Sequence, residues 1–201
     1  MFKVLALAVL VSTAASSSGA QVAANEADVS VLSDAKLTQR QQEGFQEFSS
    51  RDYNGAFYIE RSGGYQWSSR YNSLDAAKLI AEFRCTEGGS RSCELYATLV
   101  PKQIGSRRMF DQLNKENALN AVRWARETGT DRLYAAVAAD GITRFRAWAN
   151  LPRRSEAQQR TLRDCNKGKS ERYSNFSAEE RQLLDDAGFL DCKIVFERRA
   201  R

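Results

Sequence analysis

Histidine is absent from this chain of 201 residues. A nucleophilic centre that uses histidine as its base, such as Ser-His-Asp or Cys-His, therefore cannot be built. The same absence excludes zinc and iron sites that depend on imidazole ligands. The sequence also lacks a Walker loop, a G-x-G-x-x-G fingerprint and an H-E-x-x-H motif. We therefore predict no catalytic residue, no metal and no cofactor.

Long hydrophobic runs are also missing. The apolar stretch 4–11 is much shorter than the roughly 20 residues that span a bilayer, and no later segment is longer. Lys3 before this stretch and small residues at 18–20 after it are typical of a secretory signal peptide. We predict a signal peptide over residues 1–20, cleaved near Ala20 or near Ala24, and a periplasmic or secreted protein that is not an integral membrane protein. An uncleaved N-terminal anchor is the alternative.

The chain has four cysteines, Cys85, Cys93, Cys165 and Cys192. An even number behind a signal peptide indicates disulfides in an oxidising compartment. Three pairings are possible, and the repeated pattern described next favours Cys85–Cys93 and Cys165–Cys192. Loops of these lengths would contribute about 2.6 and about 3.6 kcal/mol. A four-thiolate zinc site is the alternative, although the spacings lack the tight C-x₂₋₄-C knuckle.

One sequence pattern occurs twice, over residues 55–100 and 134–196. Each copy has a strand, a glycine turn, a second strand with a tryptophan, a helix that ends in cysteine, and a last strand beside a second cysteine. The turns are Gly63-Gly64 and Asp140-Gly141, and the tryptophans are Trp67 and Trp148. The pattern predicts an internal repeat, and chance similarity of two short α+β segments is the alternative.

The repeat predicts an α+β fold of two α-β-β-α-β units, each with one disulfide. The units cover residues 33–100 and 111–197, with their first helices over 33–50 and 111–127. The second unit carries an inserted helix that Ser177 and Glu180 open as a capping box. We also predict a flexible N-terminus over 21–32, a linker over 101–110 and a basic tail over 198–201.

The first copy resembles a family of small exported bacterial domains of unknown function. The elements that carry the resemblance are Ala56-Phe57-Tyr58, Gly63-Gly64, Trp67, the helix from Ala77 to Ala81, Cys85 and Cys93. It covers about residues 55–100, whereas the copy over 132–197 is degenerate, with a polar helix and a wider cysteine spacing. The resemblance implies export and disulfides, and it supplies no catalytic residues.

Aromatic residues of the two hairpins are the first candidate binding group. Tyr65, Trp67, Tyr71 and Trp148 could stack on sugars or bases, or form a protein interface. Packing in the core of a small sheet is the simpler interpretation, because aromatic side chains dominate such cores.

A basic stretch over residues 150–172 is the second candidate. It contains seven basic and three acidic residues, and Arg153, Arg160, Arg163 and Lys167 can share one helix face. That face would suit an anionic partner, such as phosphate, a lipid head group, an anionic polymer or an acidic protein. A solvated surface is the simpler interpretation, and nucleic acid is not expected for an exported chain.

These observations favour an exported, non-enzymatic binding or interaction protein of the cell envelope or extracellular space. Its partner stays unknown at this stage. A histidine-free cell-wall hydrolase is one alternative, with Asp75 and Glu82, or Glu60 and Glu94, as its carboxylate pair. A secreted inhibitor or immunity protein is another.

Overall fold

A computed structural model describes residues 27–52, 54–87, 89, 91–101, 134–169, 171 and 173–199. The predicted signal peptide, the linker after Pro101 and the helix predicted over 111–127 lie outside these residues. Across the described ranges, no helix is both long and apolar enough to cross a membrane.

The described residues form seven strands and four helices. The strands are β1 (Ala27–Val31), β2 (Asn54–Glu60), β3 (Tyr65–Tyr71), β4 (Cys93–Pro101), β5 (Tyr134–Ala139), β6 (Phe145–Leu151) and β7 (Lys193–Arg199). The helices are α1 (Gln39–Ser49), α2 (Leu74–Thr86), α3 (Arg154–Asn166) and α4 (Ala178–Asp186). One antiparallel sheet has the order β1-β4-β2-β3, and the other has the order β6-β5-β7. The predicted α+β class is confirmed.

The N-terminal segment departs from the prediction, because residues 27–31 form a strand rather than a flexible tail. β1 pairs antiparallel with β4, from Ala27 opposite Pro101 to Val31 opposite Ala97. Most of its side chains are exposed, so main-chain pairing rather than burial holds it in place. Without β1, β4 would present an unpaired row of N–H and C=O groups at the edge of the sheet.

Helix α1 begins later than the position predicted after Ser33. Thr38 caps the helix. Its hydroxyl accepts a hydrogen bond from the main-chain amide of Gln41 at 3.3 Å, and Gln41 Oε1 accepts one from the main-chain amide of Thr38 at 3.0 Å. The side-chain Nε2 of Gln41 also donates to the main-chain carbonyls of Glu60 and Gly64, both at 2.9 Å. This buried glutamine therefore ties the first turn of α1 to the β2–β3 hairpin.

The chain's C-terminal end also differs from the prediction of a basic tail over 198–201. Arg198 and Arg199 extend β7, where they lie opposite Ala135 and Tyr134 of β5. Extended backbone beside an available strand edge pairs through its main-chain N–H and C=O groups.

Each half carries one disulfide from the end of a helix to the following strand. Cys85 of α2 joins Cys93, with Cα atoms 6.1 Å apart, and Cys165 of α3 joins Cys192, with Cα atoms 5.9 Å apart. The predicted pairing is confirmed. Because all four sulfurs are in disulfides, they are not available to zinc as thiolates.

The two hairpins are irregular at corresponding places. The β2–β3 register shifts between Asn54 and Ala56, and the β5–β6 register shifts between Tyr134 and Ala136. In the strands opposite, Arg70 and Asn150 adopt positive φ values of 68° and 60°. These positions differ by 80 in residue number (136 − 56), and Cys85 and Cys165 differ by the same amount.

A shared core joins the two halves. Tyr71 and α2 of the first half pack against Ile142 and against the segment between α3 and β7. The buried members of this cluster are Tyr71, Ala76, Ala77, Ile80, Ile142, Tyr173, Phe176, Leu184 and Leu190. Main-chain hydrogen bonds cross the same junction, from Asn72 N to Ile142 O at 2.7 Å and from Ser73 N to Gly141 O at 2.9 Å.

Position 141 requires glycine because a side chain would not fit beside Phe189, and not because of a positive φ. A Cβ atom built on Gly141 would lie 2.8 Å from the Phe189 ring, and its amide donates to the Phe189 carbonyl at 2.8 Å. The turn that the sequence predicted at Asp140-Gly141 is a longer loop, because β5 ends at Ala139 and β6 begins at Phe145.

Candidate functional site

Tyr65 and Trp67 face α1, where they take part in an aromatic core. The Tyr65 ring stacks on Phe57 with centroids 5.4 Å apart, and Trp67 lies 6.2 Å from Phe48. The Arg51 guanidinium covers the Trp67 ring at 5.3 Å from its centroid. These rings are therefore mainly packing groups whose outer edges remain half-exposed.

Tyr71 lies on the opposite face of the same strand. Regular alternation from Trp67 would place Tyr71 beside it, but the bulge at Arg70 inserts an extra residue and reverses the direction. Tyr71 therefore joins Ser68 on the α2 side, where the Ser68 hydroxyl donates to the Ala77 carbonyl at 2.6 Å. The hairpin aromatics do not form one continuous surface.

Trp148 also differs from Trp67, although the sequence pattern aligns them. It packs beneath α3, its Nε1 donates to Asp164 Oδ2 at 2.7 Å, and the Arg160 guanidinium lies 3.9 Å from its ring centroid. The two hairpins are related by an offset of 80 in residue number, which places Ala147, and not Trp148, at the position equivalent to Trp67. The two tryptophans therefore belong to opposite faces of their sheets.

The basic residues of α3 are divided between two roles. Arg153, Arg163 and Lys167 are exposed, whereas Arg160 is half-buried over Trp148. Arg163 lies 3.8 Å from Asp164, and Arg153 occupies the N-cap without a side-chain capping bond. The structure thus brings three of the four predicted cations to the surface of α3 and commits the fourth to packing.

Of the four carboxylates considered for hydrolysis, Glu94 is exposed and the other three have partners of other kinds. Asp75 is exposed and lies 3.9 Å from Lys78. Glu82 accepts from the Tyr58 hydroxyl at 3.4 Å. Glu60 accepts from Ser62 at 2.7 Å, and this bond, followed by that from Arg91, holds the pKa of Glu60 below its usual value. A glycosidase acid needs a raised pKa instead, so Glu60 is poorly suited to that role.

A cleft of about 430 Å³ opens where the two halves meet. Its buried floor includes Tyr71, Ile142 and Phe176, and exposed side chains at its rim include Thr143 and Asn175. The remaining lining residues are Trp67, Ser68, Ser69, Arg84 and Tyr173. Of the predicted binding residues, the structure brings only Trp67 and Tyr71 to this cleft.

Sequence reasoning missed the rest of the cleft. Arg84 lies in the last turn of α2, Thr143 lies in the β5–β6 loop, and Asn175 precedes α4. These residues come together only because the segment between α3 and β7 packs on α2. The capping box before α4 was the one local signal near them, and it indicated a helix start rather than a site.

An ion pair forms one wall of the cleft. Arg84 Nε donates to Glu180 Oε1 at 2.6 Å, and the Arg84 guanidinium lies 5.7 Å from the Phe176 ring centroid. Glu180 is buried, and its other oxygen accepts from the Ser177 amide at 2.8 Å. Both carboxylate oxygens are therefore engaged, whereas only Nε of the guanidinium is used in this pair.

The Tyr71 hydroxyl is the most unusual group of the cleft. Its side chain is only 8% exposed, and burial raises the pKa of Tyr71 to about 12, so the hydroxyl keeps its proton at neutral pH. It makes no hydrogen bond with any residue that the structure describes. The buried Tyr58 and Tyr173 differ, since their hydroxyls donate to Glu82 and Asp140. The Tyr71 hydroxyl is not among the fully buried side-chain atoms without a partner, so it keeps contact with the cleft that Tyr71 lines.

A second cavity of about 450 Å³ lies beside the β2–β3 turn. It includes Thr38, Arg40, Glu60, Ser62 and Arg91 in its lining. Its one carboxylate, Glu60, already accepts from Ser62 and pairs with Arg91 at 3.2 Å. It therefore offers a site for control substitutions rather than a second candidate.

No protein-family model matches the chain, and neither a curated protein nor a solved structure matches it. The likeness of residues 55–100 to exported domains of unknown function stays a prediction.

Proposed function

We propose that this protein is an exported, non-enzymatic binding protein that acts in the periplasm or outside the cell and holds its ligand in the junction cleft. The observation that carries the proposal is the cleft where the halves meet, in which the Tyr71 hydroxyl makes no hydrogen bond with a described residue. Its disulfides suit an oxidising compartment.

The cleft has the properties of a ligand site. Its volume of about 430 Å³ lies within the range of about 300–1,000 Å³ that is usual for small-molecule pockets. Such pockets prefer junctions between domains, and they combine apolar walls with a few polar groups. Here Ile142 and Phe176 supply the apolar floor, while Tyr71, Arg84 and Asn175 supply donors.

Binding accounts for the described groups better than hydrolysis does. Asp75 and Glu82 pair with Lys78 and Tyr58, and neither carboxylate lines the junction cleft. The one buried carboxylate beside the cleft, Glu180, has both oxygens engaged. No observation favours an inhibitor or immunity role over a small-molecule binding role.

The two halves are further proposed to be copies of one α-β-β-α-β unit, with the first helix of the second copy over residues 111–127. A common offset of 80 for the register shifts, for the positive-φ residues Arg70 and Asn150, and for Cys85 and Cys165 supports this. In that view, the inserted segment after Asn166 is what converts two similar units into one binding module.

The test is a thermal-unfolding screen of the oxidised protein against purified envelope components. A ligand at 100 times its Kd stabilises the folded state by about 2.7 kcal/mol, which raises Tm by roughly 5–10 °C for a chain of this size. We expect Thr143→Trp, which fills the rim of the cleft, to abolish the shift. Ser62→Trp at the second cavity is the matched control and should keep it. An equal shift in all three proteins would place binding elsewhere and contradict the proposal.

A further inference from the structure

We propose that the junction cleft binds an organic carboxylate, whose carboxylate group accepts hydrogen bonds from the Tyr71 hydroxyl and the Arg84 guanidinium. This inference rests on the binding function proposed above and names the chemical class of its ligand.

Hydrogen-bond donors of the cleft are available, whereas its carboxylate acceptors are already used. The Tyr71 hydroxyl and the two terminal amino groups of Arg84 make no hydrogen bond with the described residues, and Arg84 uses only Nε toward Glu180. Asp140, behind the cleft, accepts from two amides of its own loop at 2.9 Å and from the Tyr173 hydroxyl. A ligand that fits must therefore bring acceptor atoms.

Tyr71 and Arg84 are close enough to act on the same group. The Phe176 ring centroid lies 6.4 Å from the Tyr71 ring centroid and 5.7 Å from the Arg84 guanidinium, so both side chains approach the same ring. Both side chains also line the one cleft. A guanidinium presents parallel donors that match the two oxygens of a carboxylate, and an adjacent phenol can add a third hydrogen bond.

Charge selects a monoanion over the other ligand classes. Arg84 is already paired with Glu180, so the wall of the cleft has little net charge. A phosphate dianion would bring about two negative charges against one guanidinium that is already paired with Glu180. A cation finds no unengaged carboxylate among the lining residues. Among ligands with a charged acceptor, a carboxylate brings the smallest negative charge.

Three of the lining residues can contact an apolar body behind the carboxylate. The buried Ile142 and Phe176 contribute apolar surface, and the half-exposed Trp67 lies at the opening. Burial of such a body supplies the binding free energy that a lone charged contact lacks, because desolvation offsets much of a charge pair. A small aromatic acid therefore represents the class.

The experiment compares benzoate with benzamide, its neutral isostere, by calorimetric titration of the oxidised full chain. Benzoate should bind at least about tenfold more tightly, because hydrogen bonds to a charged acceptor are the stronger kind. Tyr71→Phe removes only the hydroxyl and should weaken benzoate about tenfold or more, with little effect on benzamide. Tyr58→Phe is the matched control, since Tyr58 is equally buried but its hydroxyl already donates to Glu82.

Thermal unfolding of the same variants separates a ligand role from a folding role. Tyr58→Phe should lower Tm because it removes a formed hydrogen bond, whereas Tyr71→Phe should leave Tm unchanged or raise it. If Tyr71→Phe binds benzoate as tightly as the wild type, the Tyr71 hydroxyl does not contact the ligand. If Tyr71→Phe lowers Tm, the hydroxyl stabilises the folded protein instead.

The outcomes also distinguish the ligand class from the binding function. Equal affinity for benzoate and benzamide, or no binding of either at millimolar concentrations, would overturn the carboxylate class. The binding function would still stand if an envelope component stabilised the wild-type protein and not Thr143→Trp. If no component did so, both proposals would fail.

Discussion

The two halves have the same strand connections but fill their cores differently. In each half, a hairpin, a helix and a final strand give a three-strand order with the first strand in the middle, β4-β2-β3 and β7-β5-β6. On the face toward α2, β2 of the first half places Ala56 and the large ring of Tyr58. In the second half, β5 turns the small side chains Ala136 and Ala138 toward α3. The register shifts of the two hairpins therefore match, although the side chains on the strands differ.

The main difference between the halves is the length of chain between helix and final strand. In the first half, α2 ends at Thr86 and β4 begins at Cys93, whereas in the second half α3 ends at Asn166 and β7 begins at Lys193. The extra residues include α4, whose Leu184 is fully buried against the first half. The insertion therefore serves first to join the halves, and the cleft arises at the joint that it makes.

The disulfides offer the largest test of this comparison. We expect Cys165→Ser with Cys192→Ser to lower the free energy of unfolding by about 3.6 kcal/mol, and Cys85→Ser with Cys93→Ser by about 2.6 kcal/mol, because the longer loop restricts the unfolded chain more. Urea unfolding of both double variants measures the difference. The fully reduced wild-type protein is the control and should match a variant with all four substitutions. Equal losses would show that loop length does not distinguish the halves.

Local sequence signals predicted the elements whose determinants are local. The helix cap at Ser177 and the pairing of the four cysteines both followed from residue type and spacing. Alternation along β3 accounts for the shared face of Tyr65 and Trp67.

The rest depended on contacts between distant segments. β1 exists because β4 offers it an edge, and no local pattern at 27–31 distinguishes it from a flexible tail. The bulge at Arg70 turned Tyr71 to the other face, since a non-glycine residue in the left-handed region carries no strong sequence signal. The alignment of Trp67 with Trp148 was off by one residue, and in a strand one residue reverses the face.

Substitution of two buried asparagines tests whether hydrogen bonds across the junction stabilise the fold as much as those within one half. The Asn72 amide donates to the carbonyls of Asp140 and Arg144 across the junction, at 3.0 and 3.2 Å. The Asn54 amide donates to two carbonyls within the first half, at 3.3 and 3.1 Å. We expect Asn72→Ala and Asn54→Ala each to cost about 2 kcal/mol, because each leaves buried carbonyls without a donor.

Both asparagine variants should keep a single unfolding transition, because the junction core includes α2 of one half and α4 of the other. Chemical unfolding followed by fluorescence and by far-ultraviolet circular dichroism provides the measurement. Coincident curves are expected for each variant. Two separated transitions in Asn72→Ala alone would show that the halves are independent units linked by a weak contact.

The smallest expected effect distinguishes the two tryptophans. Trp148→Phe removes the hydrogen bond to Asp164 at 2.7 Å and the ring beneath Arg160, so we expect a loss of about 1.5–2 kcal/mol, as for a bond to a charged acceptor. Trp67→Phe keeps an aromatic ring against Phe48 and loses no hydrogen bond with the described residues, so its cost should stay below about 1 kcal/mol. Urea unfolding measures both, and Asp164→Asn in the Trp148→Phe background is the control, since it should add little once the donor is gone. Equal losses in free energy of unfolding for the two tryptophan variants would indicate equivalent positions. They would then favour the sequence alignment, in which Trp67 pairs with Trp148.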